Sequence, residues 1–122
     1  CMKKILIIDD DATFKELMKA GLDPASYEVS MAGDGQEGLQ QMSESPPDAI
    51  LLDIKMPGMD GLTFLKEINQ KYGEGKTPVL ITSNMSSMDS VAEGVSLGIR
   101  GYVVKSNESV QGIVETIERI LK

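Results

Sequence analysis

Five short apolar runs punctuate the chain: Ile5–Ile8, Tyr27–Met31, Ala49–Leu52, Val79–Ile81 and Tyr102–Val104. Each is bounded by Gly, Pro, Asp or Ser, as strands buried on both faces are. Between the runs the apolar spacing becomes helical. Phe14, Leu17 and Met18 mark a first helix, for which Asp11 is the expected cap. Asp34 caps a second, with Glu37 three residues on and Leu39 and Met42 on one face. Leu62, Leu65 and Ile68 give the third; Met88, Val91, Ala92 and Val95 give the fourth. The last is the fullest stripe: Val110, Ile113, Val114, Ile117, Ile120 and Leu121, with Asn107 as the expected N-cap. Five strand–helix units in series predict a parallel sheet covered on both faces. Right-handed crossovers then make it a doubly wound, five-stranded α/β fold.

Composition narrows the chemistry. The 122 residues form one domain, 1–122, and Cys1 ahead of Met2 reads as an added residue. With three Tyr, two Phe and no Trp, the core must be aliphatic. The chain has no histidine, so a Ser-His-Asp triad and a His-ligated zinc are excluded. A single cysteine excludes an internal disulfide. A net charge of -7 without a basic run argues against direct nucleic-acid binding. Lys3-Lys4 and four apolar residues are too short for a secretory signal, and no stretch approaches the ~20 residues of a membrane span. The expected location is cytoplasmic, without membrane contact. The loop YGEGKT at 72–77 fails the phosphate-loop pattern and precedes a strand rather than a helix.

Ligands of open α/β sheets sit beyond the carboxyl ends of the strands. Asp9, Asp10 and Asp11 follow the first run, and Asp53 follows the third in LLDIKMPGMDG. Thr82, Ser83 and Asn84 follow the fourth, and Lys105 follows the fifth in GYVVKS. Carboxylates gathered this closely require a cation. Without His or a usable Cys it is a hard ion with oxygen ligands, and Mg²⁺ suits a shallow site that keeps several waters. A phosphoryl group could complete the metal's shell, with Lys105 offsetting its charge and Asp53 as nucleophile.

IIDDD, LLDIKMPGMDG, a hydroxyl after PVLI, and GYVVK together resemble the receiver domain of bacterial two-component response regulators, over essentially the whole chain from Lys3 to Lys122. The resemblance implies a flavodoxin-like (βα)5 fold with strand order 2-1-3-4-5. It implies Asp53 as the phosphoacceptor of a phosphorelay. Mg²⁺ would be held directly by Asp10, Asp53 and the main-chain carbonyl of Lys55, and through water by Asp9. Lys105 would contact the phosphoryl group and Tyr102 would be the aromatic switch residue. Alternation along a strand lets only one of Thr82 and Ser83 face the site. The family's spacing selects Ser83, 30 residues after Asp53 and 22 before Lys105, as the switch hydroxyl.

Ser106 follows Lys105 where many receivers have proline, so a trans Lys105–Ser106 bond and an altered loop are expected. Asn84 stands where a smaller residue is common and crowds the approach to Asp53; Lys55 and Met85 flank the site. Met56, Met59, Met85 and Met88 serve either a binding surface or ordinary packing. Lacking histidine, the chain needs a phosphodonor partner, a sensor histidine kinase or a histidine phosphotransfer protein. Its own catalysis is limited to its phosphorylation and dephosphorylation, so it is not classed as an enzyme. Output would pass to a downstream protein or a fused domain. Arg100, Arg119 and Lys122 offer few charges for a homodimer face, so any dimer would be weak. The alternative is a Mg²⁺-dependent small-molecule phosphatase or phosphotransferase, with Asp9 and Asp11 as a D-x-D pair.

Overall fold

The computed structural model describes residues 2–122; Cys1, read above as an added residue, lies outside them. Strands and helices alternate throughout: β1 (Lys3–Ile8), α1 (Ala12–Gly21), β2 (Tyr27–Ala32), α2 (Gly35–Glu44), β3 (Ala49–Asp53), α3 (Gly61–Tyr72), β4 (Val79–Ser83), α4 (Met88–Ser96), β5 (Gly101–Val104) and α5 (Val110–Ile120). The strands form one parallel sheet in the order β2-β1-β3-β4-β5. The predicted runs all lie within strands, and β3 and β4 extend further, to Asp53 and Ser83.

Period-2 alternation divides the core between the two faces. Leu6, Ile8, Ile50, Leu52, Val79 and Ile81 pack against Met42, Phe64, Leu65, Ile68 and Val91 of α2, α3 and α4. Ile5, Ile7, Ala49, Leu51, Leu80 and Val103 pack against Met18 of α1 and Ile113, Val114 and Ile117 of α5. The central strands read as unbroken apolar runs because both faces are covered.

Helix starts follow the caps in the sequence, with one correction. Asp11 accepts the Phe14 N–H at 3.1 Å and Asp34 accepts the Glu37 N–H at 2.8 Å. Glu37 reaches back to the Gly33 N–H at 2.8 Å, closing a reciprocal pair one residue earlier than a standard capping box. For α5, however, the cap is Ser109, which accepts the Gly112 N–H at 3.0 Å, and not Asn107. Asn107 is absorbed in a tight 3₁₀ turn, Lys105–Asn107, that leads out of β5. The described residues contain no cis peptide, so Lys105–Ser106 is trans as expected. Leu17 and Val95, taken as core positions, are about half exposed, because neighbouring elements cover only part of the apolar stripe of α1 and α4.

The loop after β3 folds back over the strand's end. Gly58 turns it with φ +73°, and the Gly61 N–H donates to the Ile54 carbonyl at 2.7 Å. A Cβ on Gly61 would strike the Asp53 carbonyl oxygen and lie 2.9 Å from the Ile54 Cα, both backbone atoms that cannot yield cheaply. Glycine is therefore required where the chain crosses the backbone that presents Asp53.

Gly61→Ala should cost about 1–3 kcal/mol, read as a lower urea midpoint. Ser109→Ala should cost about 1 kcal/mol and Asn107→Ala much less; the reverse order would return the cap to Asn107.

Candidate functional site

Parallel pairing aligns the strand ends, so polar residues that follow each apolar run meet at one edge. Ile8 lies beside Leu52, which brings the residues after β1 next to Asp53. Asp9, Asp10 and Asp53 each offer a carboxylate oxygen within 4.8 Å of the others, the spacing of ligands around one ion. Asp10 is exposed, whereas Asp9 and Asp53 are buried.

The three carboxylates are not equivalent. Both oxygens of Asp9 are engaged: Oδ1 accepts the Asp11 N–H at 2.9 Å and Oδ2 accepts Lys105 Nζ at 2.6 Å. Asp11 stands outside the cluster as the cap of α1, so the run of three acids splits into a pair and a cap. Lys105 spans 96 residues of sequence to pair with Asp9 and stands 3.8 Å from Asp53 Oδ2. Its ammonium also lies 4.4 Å from the centre of the Phe14 ring, a cation–π contact that helps hold the chain's half-buried charge.

Asp53 carries the strain of this arrangement. Its pKa is pushed up to about 7, first by burial and then by the Asp9 charge; Lys105 opposes the rise, and a hydrogen bond from the protonated carboxyl to Asp9 and the Asp10 charge add to it. Among the described residues its carboxylate accepts no hydrogen bond from an N–H or O–H; the nearest cation, Lys105, bonds to Asp9 instead. An oxygen-rich group of this kind fits a hard divalent cation, which would replace the missing donors and remove the proton.

The two hydroxyls of β4 part company. Thr82 pairs in register with Asp53 and with Val103, and it follows Leu80 on the α1/α5 face. Its Oγ1 is fully buried and has no hydrogen-bond partner, which costs about 1–3 kcal/mol. Ser83 is also buried, and its hydroxyl donates to Met88 Sδ at 3.8 Å, on the side covered by α4. Asn84 turns to cap the following 3₁₀ turn through Ser86 and Ser87. Met85 is 66% exposed beside the site, and Met56 and Met59 pack onto the core. Tyr102 is 47% exposed on β5. Lys55 lies in the loop that follows β3, next to Ile54. Sequence reasoning missed the Phe14 support for Lys105.

Residues 5–118 match the model of the response regulator receiver domain. The transcriptional regulatory protein PrrA of Mycobacterium leprae is 36% identical over 102 residues, which are 84% of this chain and 43% of that protein. The chain thus spans under half the length of such curated relatives. The chemotaxis response regulator CheY4 of Vibrio cholerae has a TM-score of 0.87 at 30% identity, covering 98% of this chain and 99% of that one. A CheY-like receiver domain protein from Methanospirillum hungatei has a TM-score of 0.88 at 26% identity, covering 99% and 94%.

The position of Asp53 makes stability pH-dependent in a definite direction. The folded chain keeps the Asp53 proton to about pH 7, against an ordinary value of 3.8. Between these values the folded state binds more protons than the unfolded one, so stability falls as pH rises through that window. In chelator, Asp53→Asn should gain on the order of 2–4 kcal/mol over wild type between pH 4 and pH 8. Urea unfolding across that range measures it; a pH-independent difference refutes the assignment.

Proposed function

The chain belongs to the response regulator receiver domain family of two-component signalling, and from that premise we propose that it accepts a phosphoryl group on Asp53 and thereby switches a protein-interaction face. One observation carries the reading: a buried, donor-poor carboxylate shares a 4.8 Å cluster with Asp9 and Asp10, with a lysine 3.8 Å away. Asp10, Asp53 and the main-chain carbonyl of Lys55 would hold Mg²⁺, with Asp9 binding through water. When bound, the ion supplies charge compensation for the carboxylates and the incoming phosphoryl oxygens. The chain contributes the rest. Asp53 attacks phosphorus as an ionised carboxylate while the donor's phosphorus–nitrogen bond breaks and its electron pair returns to the histidine nitrogen; Lys105, drawn from Asp9, offsets the added charge of roughly -1.5 to -2.

The donor is a phosphohistidine on a partner, a sensor histidine kinase or histidine phosphotransfer protein, because this chain has no histidine. Ser83 acts as the switch hydroxyl by leaving Met88 Sδ for a phosphoryl oxygen. Tyr102, exposed in this state, turns inward and remodels the face of α4, β5 and α5. A downstream protein or an attached output domain reads that face. The small-molecule phosphatase alternative loses its footing. Its D-x-D pair is occupied, with the Asp11 N–H on Asp9 and the Asp11 side chain capping α1.

Incubation with Mg²⁺ and a labelled small phosphodonor should give an acid-stable, base-labile label that Asp53→Ala abolishes. Chelator should abolish it too. A label that persists in Asp53→Ala sinks the assignment. Ser83→Ala should take the label yet lose output, tested with a kinase partner.

A further inference from the structure

Two groups in the site are mismatched as the chain stands. Thr82 Oγ1 is buried without a partner, and Asp53, its register neighbour, is a buried carboxylate that receives no hydrogen bond among the described residues. Neighbouring parallel strands lie about 4.8 Å apart, so in-register side chains on one face meet directly. A change of rotamer moves the Thr82 hydroxyl to another of its three staggered positions, and the register makes Asp53 the side chain that faces it on that flank. Val103, on the other flank of Thr82, is apolar and offers no competing side-chain acceptor. Ser83 has the opposite parity and a sulfur partner of its own, so the two hydroxyls can act separately.

Resting on the phosphoacceptor reading above, we propose that Thr82 is a positioning residue for dephosphorylation: its hydroxyl donates to the non-bridging oxygen of the Asp53 carboxyl as the phosphoryl group departs. In that step a water oxygen bonds to phosphorus and the phosphorus–oxygen bond to Asp53 breaks. The bonding pair returns to the carboxylate and the water's protons leave with inorganic phosphate. Negative charge therefore develops on the carboxyl that Thr82 faces, and a donor aimed there is worth more in the transition state than in the acyl phosphate.

The test follows decay of label from the full chain after Mg²⁺-dependent loading with a small phosphodonor and removal of that donor. Thr82→Val keeps the shape and deletes the donor; it should prolong the label about tenfold. Thr82→Ser keeps the donor and should decay within about twofold of wild type. Thermal unfolding of Thr82→Val should be unchanged or improved, since an unpaired buried hydroxyl is removed. Decay of Thr82→Val at the wild-type rate overturns the proposal while leaving Asp53 as phosphoacceptor. Equal prolongation in Thr82→Ser and Thr82→Val also overturns it, because the methyl group and not the hydroxyl would then matter. Absence of label on wild type overturns both readings together.

Discussion

Repulsion among three carboxylates at one edge of a sheet is the constraint around which the rest of the structure is arranged. Asp9, Asp10 and Asp53 lie within 4.8 Å of one another, and like charges at that range, partly screened from water, oppose folding. The chain answers each differently. Asp10 remains in solvent. Asp9 is held by a backbone N–H and by Lys105. Asp53, buried and accepting no hydrogen bond among the described residues, has its pKa pushed up to about 7. The site is thus neither neutral nor satisfied, and it gains from whatever brings positive charge to Asp53.

The fold makes this tension affordable. A parallel sheet with aliphatic packing on both faces fixes the register of strand ends without help from the polar groups beyond them. Glycine at position 61 lets the loop cross directly over the Asp53 backbone, while Asp60 anchors α3 by accepting the Thr63 N–H at 2.8 Å. The carboxylate is presented by a strand end that is held from above and from both sides. Lys105 gains similar support from the Phe14 ring, at the start of the helix that Asp11 caps.

A single strand, β4, also supplies two hydroxyls with different surroundings. Thr82 belongs to the face that carries Asp53, and Ser83 to the face covered by α4. Adjacent residues on a strand point apart, so the two hydroxyls of one two-residue segment meet different neighbours. Ser83 makes only a long hydroxyl–sulfur contact, and Tyr102 on the neighbouring strand is about half exposed.

The sequence by itself determined the alternation of strands and helices and the acids that follow the first and third strands. Both come from local periodicity and from where each apolar run stops. The strand order was legible through the density of family motifs rather than through periodicity. Tertiary structure alone decided that Lys105 hydrogen-bonds Asp9 at 2.6 Å while standing 3.8 Å from Asp53, a contact across 96 residues that depends on the register of strands. It alone left Leu17 and Val95 in solvent, because an apolar stripe states where a helix can pack but not how far its neighbours extend. It moved the α5 cap from Asn107 to Ser109, since the 3₁₀ turn after β5 uses the intervening residues. It also left the Thr82 hydroxyl without a partner beside Asp53: alternation gives a side chain's face, but whether its hydrogen bond is made depends on the neighbouring strand.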